Sequence, residues 1–74
     1  MENFSTPLNF AQIAYNSLLK CDPDRLHLIC LLLAEGQTPQ NIHDRIKAAE
    51  PDEVAFPVLC AAAAQFIVDQ KANN

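Results

Sequence analysis

The stretch from residue 22 to residue 42 reads DPDRLHLICLLLAEGQTPQNI and contains two helix starts and one helix stop. Asp22 and Thr38 each precede a proline, and an Asp or Thr followed by Pro is a typical N-cap followed by the first helical residue. Gly36 lies between them, at the place where a left-handed residue commonly ends a helix. The pattern therefore predicts one helix that ends at this glycine and a second that begins directly after Thr38.

The same rules extend outward to both ends of the chain. Proline also precedes the first and last apolar segments, and a single glycine in 74 residues argues against hairpins and sheets, which use glycine in their turns. Pro57 falls within the last segment and is expected to kink or break it. We predict an all-α, compact bundle of four short helices in one domain, residues 1–74, with the helices at about 7–20, 23–35, 39–50 and 57–70.

The second helix is expected to be the central one. Every residue from Leu26 to Leu33 except His27 is apolar. A helix that is apolar on all sides is usually surrounded by other elements. The third helix has only a narrow apolar stripe, so it is predicted to lie at the surface.

Charge and composition exclude several functions. The net charge is −4 and the five basic residues are scattered, whereas nucleic-acid and anionic membrane surfaces require clustered Lys and Arg. The longest apolar run, residues 54–68, is too short to span a bilayer, and the acidic N-terminus does not resemble a secretory signal. Three cysteines without paired spacing indicate free thiols, which predicts a cytoplasmic location. Together with the scattered basic residues, we expect a protein that does not bind nucleic acid or membrane.

Few side chains are candidates for metal binding, thiol reactivity or acid–base catalysis. Cys21, His27, Cys30 and His43 are possible metal ligands by type, but they lack the spacing of known metal motifs. Cys21 is the candidate reactive thiol because it follows the first helix beside Lys20, whereas Cys30 and Cys60 lie in apolar runs and are expected to be buried. Adjacent acids point in different directions on a helix and do not form a dyad. We therefore predict no catalytic residue, metal, cofactor or small-molecule substrate, and no enzymatic activity.

One short stretch resembles a known family. Residues 31–42, LLLAEGQTPQNI, resemble the entry into the DNA-binding domain of LuxR-type response regulators, in which a leucine-rich helix ends in Ala-Glu-Gly and a Thr- or Ser-started helix follows. With the two helices that flank this stretch, the resemblance covers about a third of the chain and implies a helix-turn-helix. The chain departs from the family at His43, where the family has a small residue, and at Glu50-Pro51-Asp52-Glu53, where its recognition helix begins. A transcription regulator with a degenerate helix-turn-helix is thus an alternative function.

The favoured function is protein–protein interaction. Half of the residues are hydrophobic, which is a large share for a domain with so little interior. The last helix carries four consecutive alanines followed by Phe66 and Ile67, and small side chains let two helices approach closely. We predict an interface, most simply that of a homodimer or with another protein partner, at Ala62, Ala63, Phe66 and Ile67. The expected role is that of an adaptor, inhibitor or regulatory subunit, with a thiol-dependent redox protein acting through Cys21 as a third, more distant alternative.

Overall fold

The computed structural model describes residues 6–72, with side chains from Phe10 onward. This part of the chain contains four helices and no strand: α1 Thr6–Cys21, α2 Pro23–Ala34, α3 Pro39–Ala49 and α4 Ala55–Ala72. The predicted all-helical class and the number of helices are confirmed. The observed bounds lie within two residues of the predicted ones.

The starts of α2 and α3 have the capping geometry that the sequence predicts. Asp22 Oδ1 accepts a hydrogen bond from the Arg25 backbone N–H at 3.2 Å. Thr38 Oγ1 accepts one from the Asn41 backbone N–H at 3.1 Å. Each cap satisfies a backbone donor that has no partner within its own helix.

Gly36 ends α2 in the predicted manner. Its φ is +99°, in the left-handed region that glycine tolerates best. The Gly36 N–H donates to the Leu33 carbonyl and the Gln37 N–H donates to the Leu32 carbonyl, both at 3.0 Å. This pair of bonds is a Schellman motif, and it turns the chain directly into α3.

The last segment is interrupted close to Pro57, as predicted, but the break comes two residues earlier and the helix itself is unbroken. Pro57 is the third residue of α4, which begins at Ala55 and continues to Ala72 as one helix. The backbone N–H groups of the first turn have no helical acceptor, so proline is tolerated there. Lys47 closes the preceding turn by donating from Nζ to the carbonyls of Pro51 and Glu53, at 3.0 and 2.9 Å.

The central helix is α4, not α2 as predicted. α4 packs against all three other helices and has its most extensive contacts with α1 and α3. Only two residues of α2, Leu26 and Ile29, are buried. The core combines aliphatic side chains from α1, α2 and α3 with small ones from α1 and α4. Its members are Ala14, Leu18, Leu26, Ile29, Ile42, Ile46, Cys60, Ala63 and Ala64.

None of the helices between residues 6 and 72 has the combination of length and apolarity needed to cross a membrane.

Candidate functional site

The four interface residues predicted on α4 differ in burial. Ala63 is fully buried, with 0% of its surface exposed, and belongs to the core. Ala62, Phe66 and Ile67 are half-buried, and the Phe66 ring lies 5.0 Å from the ring of Tyr15 on α1. Ala62 also lines an open groove between α4 and the start of α3. Ala63 is therefore part of the domain's own packing, whereas an interface at the other three residues stays a prediction.

The three cysteines are free thiols that differ in exposure. Cys21, the predicted reactive thiol, is exposed at the end of α1, but Cys30 is also exposed, contrary to expectation. Cys60 is buried as predicted, and this burial raises the pKa of its thiol to about 11. Across the described residues no three His, Cys, Asp or Glu side chains come together as a metal site would require.

A small polar cluster lies on the outer face of α3. Asp44 Oδ1 lies 3.1 Å from His43 Nδ1 and accepts a hydrogen bond from Gln40 Nε2 at 3.0 Å. The contact with His43, followed by that with Gln40, holds the pKa of Asp44 below its usual value of 3.8. The three residues are neighbours on one helix and form a local surface network. Gln40 and His43 also line a groove of about 490 Å³ between α3 and α4, but the Asp44 carboxylate lies outside it.

The helix that corresponds to a recognition helix is α4. In its first three turns the residues that face solvent include Val58 and Gln65, and its basic residue, Lys71, lies in the last turn. DNA recognition requires several donors that can reach base edges from an exposed helix. The buried position of α4 is therefore unlike that of a recognition helix.

The outer face of α2 exposes large apolar side chains. Leu28 and Leu31 are 43% and 49% exposed, although leucine is commonly buried. They lie one turn apart on the same face, and Asp24 and Glu35 lie on that face at either end. The spacing of four, three and four residues keeps all four side chains along a single stripe of the helix. This stripe, Asp24–Leu28–Leu31–Glu35, is called the α2 stripe below.

A groove runs beside this stripe, between α2 and α3. Its volume is about 520 Å³. Apolar side chains form its floor, and charged ones lie along its rim. The floor residues are Leu28, Leu32, Ile46, Ala48 and Ala49, and the rim residues are Arg25, Arg45 and Glu50. Together they define the α2/α3 groove.

The two arginines of the groove differ in their surroundings. Arg25 is half-buried, lies 3.9 Å from the Glu50 carboxylate and stacks over the Phe56 ring at 5.3 Å. Arg45 is exposed and forms no ion pair with any residue in the described range. Arginine with this freedom is a residue type enriched in protein interfaces. The groove thus carries a local positive charge on a domain whose net charge is negative.

A second apolar surface lies at the start of α4, and its Phe56 contacts Arg25 of the α2/α3 groove. Phe10, Val54 and Val58 are exposed and line a groove with Phe56 and Leu59 at the start of α4. Its charged border is Glu53. This surface offers apolar area but fewer polar groups that could orient a partner.

Comparison with known proteins adds no relative: no family model, no curated protein and no solved structure matches this chain. The site must therefore be judged on its geometry. The fold is a small all-helical domain. The α2 stripe and the α2/α3 groove together form a surface on which exposed leucines lie beside apolar and charged side chains.

Proposed function

We propose that this protein is a small protein–protein interaction module without enzymatic activity, and that it acts as an adaptor, inhibitor or regulatory subunit. The observation that carries the proposal is the pair of exposed leucines, Leu28 and Leu31, beside an apolar groove with charged rims. Contiguous exposed apolar surface with a polar border is characteristic of interaction sites. We therefore propose the outer side of α2 and α3 as the contact surface, in place of the alanines of α4.

A partner would bind here because apolar area on α2 and in the groove is left open to water. Burying apolar surface contributes about 25 cal/mol per Å², so a partner that covers two leucines and the groove floor gains several kcal/mol of transfer free energy. In the free domain almost half of each leucine is open to water, where charged residues would favour solubility more. Three unpaired cysteines fit a reducing compartment, and we place the module in the cytoplasm.

Photo-crosslinking in the native host tests this function. A photoreactive amino acid in place of Leu31 is expected to yield discrete covalent adducts of defined mass. The same group in place of Ile13, which is 59% exposed on α1, serves as the control. Adducts that form equally from both positions, or from neither, would refute an interaction through α2.

A further inference from the structure

We propose that the groove between α3 and α4 binds a basic segment of a partner protein, in which an arginine or lysine lies beside an apolar residue. This α3/α4 groove, of about 490 Å³, is lined by residues that include Gln40, His43 and Gln65, and it shares no lining residue with the α2/α3 groove. The inference goes beyond the proposed function, because it adds a second contact surface with a partner of its own. A domain with two such surfaces can join two proteins, as an adaptor does.

The two grooves lie on different flanks of α3. Gln40 and His43 line the α3/α4 groove, whereas Arg45 and Ala48 line the α2/α3 groove. With 3.6 residues per turn, the mean directions of these two pairs differ by roughly 140° around the helix axis. The buried residue Ile42 points inward between them. The two grooves therefore open on separate sides of α3.

The polar side chains of the α3/α4 groove offer hydrogen-bond acceptors. Gln40 Nε2 donates to Asp44 at 3.0 Å, and Gln65 Nε2 donates to Asp69 at 2.9 Å. An ionised carboxylate only accepts, so each contact uses the amide nitrogen and leaves the amide oxygen for another donor. His43 Nδ1 lies 3.1 Å from Asp44 and carries the proton for the same reason, so Nε2 of the neutral ring is an acceptor. A ligand rich in donors fits these walls.

The charges around the groove favour a cation. Among the described residues no lysine or arginine lines it, and the carboxylates of Asp44 and Asp69 lie one contact behind its walls. Lys47, one turn after His43, is held by two backbone carbonyls before α4 and is not part of the lining. The charge of −4 on the whole chain also attracts a basic partner. Arginine and lysine carry donors only, so they match both the charge and the acceptors.

The floor of the groove suits the apolar part of such a side chain. It consists of Phe10, Val58, Ala61 and Ala62, the last of which belongs to the interface predicted from the sequence. Lysine and arginine have an apolar stem that lies along apolar surface while the charged head is hydrogen-bonded elsewhere. Phe10 is 48% exposed, and the face of an aromatic ring attracts a cation. The floor and the walls therefore recognise different parts of one basic side chain.

An apolar neighbour of the basic residue fits the adjoining groove at the start of α4. Phe10 and Val58 line both grooves, which therefore adjoin. Ala55 lines one and Gln65 lines the other, and these two residues are about 15 Å apart along α4 at 1.5 Å per residue. An extended chain covers this length with about five residues at roughly 3.3 Å each. The partner segment is therefore short, with its basic residue towards Gln65 and its apolar residue towards Ala55.

Selection of random-sequence peptides tests the proposal without a choice of partner. Short peptides displayed on phage are selected on the immobilised full chain, and the enriched ones are synthesised with a fluorescent label. We expect them to contain arginine or lysine beside an apolar residue. Their binding, measured by fluorescence anisotropy, should weaken as the salt concentration is raised, because salt screens the attraction between charges.

Opposite charges placed at one exposed position provide the matched comparison. Gln65→Lys adds a positive charge to the groove wall and should weaken binding of the basic peptides about fivefold. Gln65→Glu adds a negative charge there with a side chain of nearly the same shape, and it should strengthen binding. Leu28→Glu, on the floor of the α2/α3 groove, should leave binding unchanged. Circular dichroism establishes that each variant is folded.

Four results would overturn this proposal. The selection yields no enriched peptide, the enriched peptides lack arginine and lysine, binding responds equally to Gln65→Lys and Gln65→Glu, or Leu28→Glu alone releases the peptides. The last result would place the basic segment in the α2/α3 groove instead. None of these results alters the adducts expected at position 31, so failure of this inference is distinct from failure of the proposed function.

Discussion

Gly36 shows how much one backbone angle contributes to this fold. A Cβ added at this position would have no heavy atom within 4 Å, so the space for a side chain exists. The φ of +99° nevertheless disfavours any L-residue. We expect Gly36→Ala to lower the free energy of unfolding by about 1 kcal/mol, through conformational strain and not through a clash.

Urea denaturation measures this loss. Gly36→Asn is the matched comparison and should cost less than Gly36→Ala, because asparagine tolerates the left-handed region better. Equal stability of wild type and Gly36→Ala would mean that the Schellman turn does not require this conformation.

The thiols provide a second residue-scale prediction. With a pKa of about 11, Cys60 is a thiolate in only about one molecule in a thousand at pH 8, and it is also shielded from solvent. Cys21 and Cys30 are exposed. A chromogenic disulfide reagent should therefore modify two thiols rapidly in the native protein and a third only on unfolding. Rapid modification of all three under native conditions would contradict the burial of Cys60.

At the scale of the helix, α4 depends on its small side chains. Ala63 is fully buried among other core residues, so Ala63→Glu would place a charge and four additional heavy atoms in a close-packed interior. We expect this substitution to cost several kcal/mol and to unfold a domain of this size, whose total stability is about 5–15 kcal/mol.

Gln65→Glu is the matched control, since it introduces the same side chain two residues away at an exposed position. It should change stability by less than about 0.5 kcal/mol. The readouts are helicity and the thermal unfolding transition. A folded, monomeric Ala63→Glu variant would return Ala63 to the surface and support the interface first predicted there.

Local rules predicted the helices well, because caps and stops act within a few residues. Asp22, Thr38 and Gly36 form hydrogen bonds to residues three or four positions away, and such signals are readable directly from the chain. The start of α4 differs from the predicted one by two residues, because proline is tolerated at more than one position of a first turn.

Which helix is central could not be predicted from such local signals. α2 is apolar on all sides, but the leucines on its outer side face solvent and are not buried. α4 is central because its alanines and Cys60 permit close packing. Hydrophobicity alone does not distinguish a buried leucine from an exposed one. The spacing Asp24–Leu28–Leu31–Glu35 was visible in the sequence and, with its acidic ends, could have indicated an outward stripe.

For the whole molecule, the distribution of charge leads to a prediction about DNA. The domain is acidic overall, and α4 occupies the core instead of presenting donors to a groove. We expect no sequence-dependent complex with duplex DNA at sub-micromolar protein and near-physiological salt. A gel-shift series over several salt concentrations measures this, and a specific complex would favour the degenerate helix-turn-helix instead.

The extensive packing of α1 against α4 has a consequence for synthesis of the chain. α1 is complete at Cys21, but α4 begins only at Ala55. At a translation rate of roughly 5–20 residues per second, the first helix waits about two to ten seconds for the helix that covers it. Until α4 has been made, the apolar face of α1, which includes Ala14 and Leu18, lacks the helix that buries it in the folded domain.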